Sequence, residues 1–199
     1  MDFSEVVKFH GHVCPGLTLG FRAATLVMNR MELSRSDDEE LVAIVENNSC
    51  AVDAIQVVTG CTLGKGNLIL RDYGKQVYTF IRRGDGESLR LAVKWQPPTE
   101  DAETARAWQS YMAAERTAEV MTLIKKSKNR KIRAIQEAAD TDLFKVGKAI
   151  EPLPPKAQVF PSLICALCGE KVMAPKIITQ NGKSLCRPCL EAKNPTTAL

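Results

Sequence analysis

The chain has 199 residues, 45% of them hydrophobic and 25% charged, with a formal net charge of +4. This composition builds one ordinary core plus a small module and excludes a disordered chain. No apolar run approaches the ~18 residues that a membrane span needs, and MDFSEVVKFH lacks the basic start and apolar core of a signal peptide, so a cytoplasmic protein with no membrane segment is expected.

Both histidines of the chain fall in FHGHVCPGLTLG at 9–20, as His10 and His12 just ahead of Cys14. If HGHVC is extended, alternation puts His10, His12 and Cys14 on one side, where an imidazole joins a thiolate on a metal or acts as its base. Pro15 and Gly16 open a helix whose stripe is Leu17, Phe21, Ala24, Met28 and Met31, ending near Leu33. LVAIVE at 41–46 reads as a buried strand. NNS then places capping side chains before a short helix, AVDAIQVVT, that Gly60 closes. The following loop, CTLGKGN, has Gly66 where a phosphate loop needs Ser or Thr, so that reading is rejected and Lys65 stays as a candidate for a smaller anion.

Residues 76–95 predict a β-hairpin turning at GDG, with Leu89, Leu91, Val93 and Trp95 on its buried face. After Pro97 and Pro98, TEDAETARAWQSYMAAERTAEVMTLIKK starts with acids and ends with lysines, which predicts one long helix with Ala105, Trp108, Met112 and 120–124 on its apolar side. Lys125, Lys126, Lys128, Arg130, Lys131 and Arg133 then crowd into KKSKNRKIR; removing these six from +4 leaves −2, so the basicity is one local patch. A solvated helix face is the first reading of such a patch and an anion contact the second. LFKVGKAI is a candidate strand, and EPLPPKAQVFP, with four of the ten prolines, a stiff linker. The expected organisation is a core domain at 1–150, a linker at 151–162 and a four-cysteine domain at 163–199.

Seven cysteines in a reducing compartment point to metal ligands or reactive thiols more than to disulfides. Cys165, Cys168, Cys186 and Cys189 form two CxxC pairs, the pattern of a tetrahedral zinc site. Gly169 frees the backbone after the first pair, Asn181-Gly182 turns the intervening chain back, and Pro188 suits a helix start, as in a treble-clef finger. So small a module takes its folding free energy from the metal, about 10 kcal/mol in comparable isolated fingers. Lys171, Lys176, Lys183, Arg187 and Lys193 make it basic, but no aromatic residue lies between its cysteines, so nucleic acid is the less favoured partner.

Cys14 and Cys50 each precede a predicted helix, whose N-terminus favours a thiolate, so both are expected to be more acidic than a free cysteine. Nine helical residues rise ~13 Å, which keeps Cys50 and Cys61 off one ion within one chain. The candidate core set is therefore His12, Cys14 and one of Cys50 and Cys61, around a second metal ion, zinc or another transition metal. Asp53, one turn in from Cys50, is a fourth ligand or general base. In a catalytic version of this site Cys14 is the thiolate and Asp53 the orienting acid.

FHGHVCPG, then CAVDAIQVVTGCTLGKGNL followed by DYGK, then the proline linker and four-cysteine finger, together resemble the FmdE family, named for a component of formylmethanofuran dehydrogenase and spread among anaerobic archaea and bacteria. The resemblance implies an α+β fold, a core of antiparallel sheet with packed helices plus a small C-terminal zinc finger. It also implies a homodimer and a metal-capable site built from His12, Cys14, Cys50, Asp53 and Cys61. Three core cysteines cannot house the molybdenum or tungsten centre and iron–sulfur clusters of carbon dioxide reduction. The expected role is thus at most accessory to such an enzyme, or its assembly factor. A regulatory protein, with the core site as sensor and the finger on nucleic acid or protein, is the other reading.

Overall fold

The computed structural model describes residues 2–193, without the side chain of Lys193, so 194–199 of the expected finger domain lie outside the described residues. The chain divides into two compact units, Met1–Lys156 and Ala157–Leu199.

In the first unit the chain opens with a helix that the sequence pattern was not expected to form, α1 (Phe3–His10), with Gly11 at φ 92° as its left-handed cap. HGHVC is therefore not extended: His10 ends a helix. Helix α2 (Pro15–Arg30) follows, then strand β1 (Leu41–Val45), helix α3 (Ala51–Thr59) and strands β2 (Leu68–Leu70), β3 (Val77–Arg82) and β4 (Ser88–Val93). Gly60, at φ 77°, ends α3 as its position in the sequence predicts. The hairpin partners pair as Val77 with Ala92 and Tyr78 with Leu91.

The expected single helix after Pro98 is two, α4 (Ala102–Met112) and α5 (Ala118–Glu137). Ala114 takes a positive φ of 66° between them, and Thr117 starts α5 by accepting a hydrogen bond from the Val120 N–H. The acid-to-lysine gradient spans two capped helices that fold back on each other, joined where the Trp108 indole donates to Ser127 Oγ at 3.1 Å. Met112, expected on the apolar side, is 80% exposed. The short α6 (Asp140–Leu143) leads into β5 (Phe144–Gly147). Arg22 on α2 donates to the Ile135, Gln136 and Ala138 carbonyls and pairs with Asp140 at 2.7 Å, satisfying the open C-terminal carbonyls of α5.

The strand order is β2-β1-β3-β4-β5. Every neighbouring pair is antiparallel except β1 and β2, which are parallel because α3 crosses between them. One sheet face, with Leu41, Ala43, Val45, Tyr78, Phe80 and Leu91, packs on the helices. On the other, Val42, Ile44 and Ile81 pack with Ile69 and Ala149, which is why β1 is buried on both sides. The start of the proline-rich segment is tied down rather than free: the Arg83 guanidinium donates to the carbonyls of Pro154 at 2.6 Å and Pro155 at 3.1 Å.

The second unit holds two hairpins, β6 (Ser162–Ile164) with β7 (Lys171–Met173) and β8 (Ile178–Gln180) with β9 (Lys183–Leu185), followed by α7 (Arg187–Lys193). Asn181 and Gly182 both take positive φ, as a two-residue hairpin turn requires. The buried apolar cluster of this unit is Leu185 with Cys165 and Cys186, flanked by Val172, Cys189 and Leu190, too little to hold a fold by itself.

Candidate functional site

Two glycines set the geometry of the core site. A Cβ on Gly20 would stand 2.3 Å from the Ala51 carbonyl oxygen and 2.5 Å from Ala51 Cα, and one on Gly16 would touch Cys50 Cβ at 3.4 Å. Four residues apart on one face of α2, they let its first turns lie directly on the start of α3. That packing brings Cys14, the residue before α2, to Cys50, the residue before α3. The spacing of these glycines is visible in the sequence and is the signal that could have located the contact.

Cys14 caps α2, its Sγ accepting from the Leu17 N–H at 3.4 Å. Cys50 makes no such cap bond. Burial first, and then the adjoining Cys14 sulfur, push the Cys50 thiol above the usual cysteine value, so the expectation of a more acidic Cys50 is corrected: desolvation and a like neighbour outweigh the helix end.

The histidine at this site is His10. Its Nδ1 lies 2.7 Å from Asp53 Oδ2, and its Nε2 4.0 Å from Cys14 Sγ. An ionised carboxylate only accepts, so Nδ1 carries the proton and the Nε2 lone pair is left toward the sulfurs. Gln56 Nε2 donates to Asp53 Oδ1 at 3.4 Å from the next turn of α3. One ligand atom from each of His10, Cys14 and Cys50 lies within 4.8 Å of the others, a spacing able to hold one ion.

The structure thus gathers Cys14, Cys50 and Asp53 but supplies His10 where the sequence favoured His12. The His12 ring stacks beside His10, centroids 4.5 Å apart, outside the donor group. Cys61 also stands apart, fully buried and donating to the Leu41 carbonyl at 3.3 Å; burial pushes its thiol up to about 11. Lys65 Nζ donates to the Ser36 and Asp37 carbonyls at 3.1 and 3.2 Å, which turns it to bracing its loop.

Comparison with known proteins adds one deciding observation: the family described as "FmdE, Molybdenum formylmethanofuran dehydrogenase operon" matches residues 9–145, which carry every donor of the core site. The chain belongs to the FmdE family. A probable S-adenosyl-L-methionine-binding protein of Archaeoglobus fulgidus is 33% identical over 184 residues, 85% of this chain and 48% of the relative, so the chain spans about half of that protein. A crystal structure of an FmdE-like protein of tungsten formylmethanofuran dehydrogenase from Syntrophus aciditrophicus shares the fold, with a TM-score of 0.58 at 21% identity, covering 100% of this chain and 96% of that one.

The four-cysteine cluster of this FmdE-family chain lies beyond the matched residues. Cys165 and Cys168 sit in the turn from β6 to β7, Cys186 follows β9 directly, and Cys189 lies in the first turn of α7. One Sγ from each lies within 4.8 Å of the others, and Cys168 Sγ is 3.8 Å from Cys186 Sγ. Four sulfurs at ~2.3 Å from a tetrahedral ion stand about 3.8 Å apart, so this spacing suits zinc. Backbone N–H groups of Cys168, Cys186 and Leu167 pull the Cys165 thiol down to about 6. The sulfurs of Cys186 and Cys168 push Cys189 up to about 12, a crowding of like groups that a bound cation relieves.

Proposed function

We propose that this FmdE-family protein holds two metal ions, a structural zinc on Cys165, Cys168, Cys186 and Cys189 in a treble-clef finger, and a soft divalent ion on His10, Cys14 and Cys50. The observation that carries the core reading is the convergence of three soft donors within 4.8 Å. Two thiols and an imidazole suit zinc among the common divalent ions.

Three protein donors leave one position open, where zinc supplies Lewis-acid polarisation to a bound small ligand. The chain's own residues do the positioning. Asp53 fixes the His10 tautomer and ring angle, Gln56 steadies Asp53, and the Gly16–Gly20 contact sets the Cys14–Cys50 spacing. We read the protein as a cytoplasmic accessory of formylmethanofuran-linked molybdenum or tungsten enzymes, a role supported by the family description. The Archaeoglobus relative makes S-adenosyl-L-methionine the first small ligand to try. Homodimer formation has a physical motive in Phe9, Val13 and Leu63, which are 61%, 44% and 65% exposed.

Cobalt substitution tests the two-site reading. Thiolate-to-cobalt absorption from two distinct sites is expected, and Cys50→Ala should remove the component with one imidazole and two thiolates. A spectrum unchanged by that substitution would sink the core reading while leaving the finger intact.

A further inference from the structure

The six cations of the 125–133 patch divide by environment. The Glu100 carboxylate pairs with Arg130 and, at 2.9 Å, with Lys131. Lys128 Nζ lies over the Tyr111 ring, 5.2 Å from its centroid. That leaves Lys125, Lys126 and Arg133, with no acid partner among the described residues; the two lysines are exposed and Arg133 is half-buried. These three line one groove of about 760 Å³, together with Asn129 and Arg130 of α5 and Thr104 of α4. Two acids border it. Asp101 is engaged in capping α4, its Oδ1 accepting from the Thr104 N–H at 2.8 Å, and Glu137 closes the far end.

The groove therefore concentrates positive charge in a chain that carries −2 without the six cations. Its α5 wall, from Thr122 to Glu137, runs about 22 Å at ~1.5 Å per residue, far longer than a single phosphate. The aromatic residues of this helix pair face other partners: Trp108 meets Lys131 and Ser127, and Tyr111 meets Arg116 and Lys128. No aromatic side chain among the described residues lines the groove to stack on a base. Repeated anionic groups on an extended chain fit this wall; base recognition does not.

We propose that this groove binds the phosphodiester backbone of a nucleic-acid strand without reading its sequence. The contact is independent of both metal centres, and Lys125, Lys126 and Arg133 carry it.

The test uses the full, metal-loaded chain and a fluorescein-labelled single-stranded RNA, followed by anisotropy from about 50 to about 200 mM salt. Three phosphate contacts at about 0.7 each give a log–log slope of affinity on salt near −2. The triple variant K125Q/K126Q/R133Q should weaken binding about tenfold or more and flatten that slope. The charge-keeping variant K125R/K126R/R133K and the finger variant K171Q/K183Q should both bind as the parent does. RNAs of different sequence should agree within about twofold. Absence of binding at the low salt, retention by the triple glutamine variant, or loss in K171Q/K183Q overturns the proposal. So does capture by phosphatidylserine vesicles in place of RNA, which would assign the groove to a membrane surface.

Discussion

His10 Nδ1 and Asp53 Oδ2 meet at 2.7 Å across 43 positions of the chain. The contact joins the last residue of α1 to the first turn of α3, so the imidazole is aimed by an element other than its own. With Nδ1 committed to the carboxylate, Nε2 is the atom offered to Cys14 and Cys50, and the dyad acts as a metal ligand with its orienting carboxylate behind it.

Asp53→Asn keeps the shape and removes the charge. Core metal affinity should fall about 10–100-fold, read by chelator competition, while the finger keeps its ion. His12→Ala should leave both affinities unchanged. Loss of the core ion in His12→Ala and its retention in His10→Ala would move the site.

Gly20→Ala forces a methyl group onto the Ala51 backbone. A cost of about 1–3 kcal/mol is expected in denaturant unfolding, together with weaker core metal binding as α2 is pushed off α3. Gly64→Ala, where nothing lies within 4 Å of the new methyl, is the control and should be nearly silent.

Cys14 and Cys50 are close enough to be linked once the core ion is removed. Brief diamide treatment of the chelated protein should give a peptide pair joining 14 to 50, the two thiols giving up their hydrogens to the reagent. Peptide mapping that instead joins Cys50 to Cys61 would contradict the arrangement.

Cys61 reports burial through pH. Its folded value of about 11 stands above the ordinary 9.0, so the protonated thiol is favoured in the folded chain. The associated stability is complete below about pH 9 and is lost as pH rises through about 11. Urea midpoints should decline over that range, and Cys61→Ala should lessen the decline. Native-state alkylation at pH 8 that labels Cys61 as fast as Cys14 would contradict this burial.

Much of the fold is legible in the sequence because its signals are local. The β3–β4 hairpin shows alternation around GDG, and α3 shows a periodic stripe ended by Gly60. Strand β2 spans only Leu68–Leu70, too short to alternate, and its parallel pairing depends on where α3 delivers the chain. The α4–α5 break is hidden by a continuous charge gradient, although Thr117 marks a helix start. At the site, helix starts next to Cys14 and Cys50 are readable from Pro15 and the capping segment. The exchange of His12 for His10 follows from α1, whose signal is Phe3, Val6 and Val7 with a closing Gly11, a stripe too short to stand out beside the extended reading of HGHVC. The raised Cys50 value comes from tertiary packing, which no local pattern carries.

The most direct measurement is an anaerobic count of metal per chain for the parent protein beside the His10→Ala, Cys50→Ala double variant. The account predicts one ion at each centre in the parent and loss of the core ion alone in the variant. Equal counts in both proteins, with only the finger occupied, would contradict a core metal site on His10, Cys14 and Cys50.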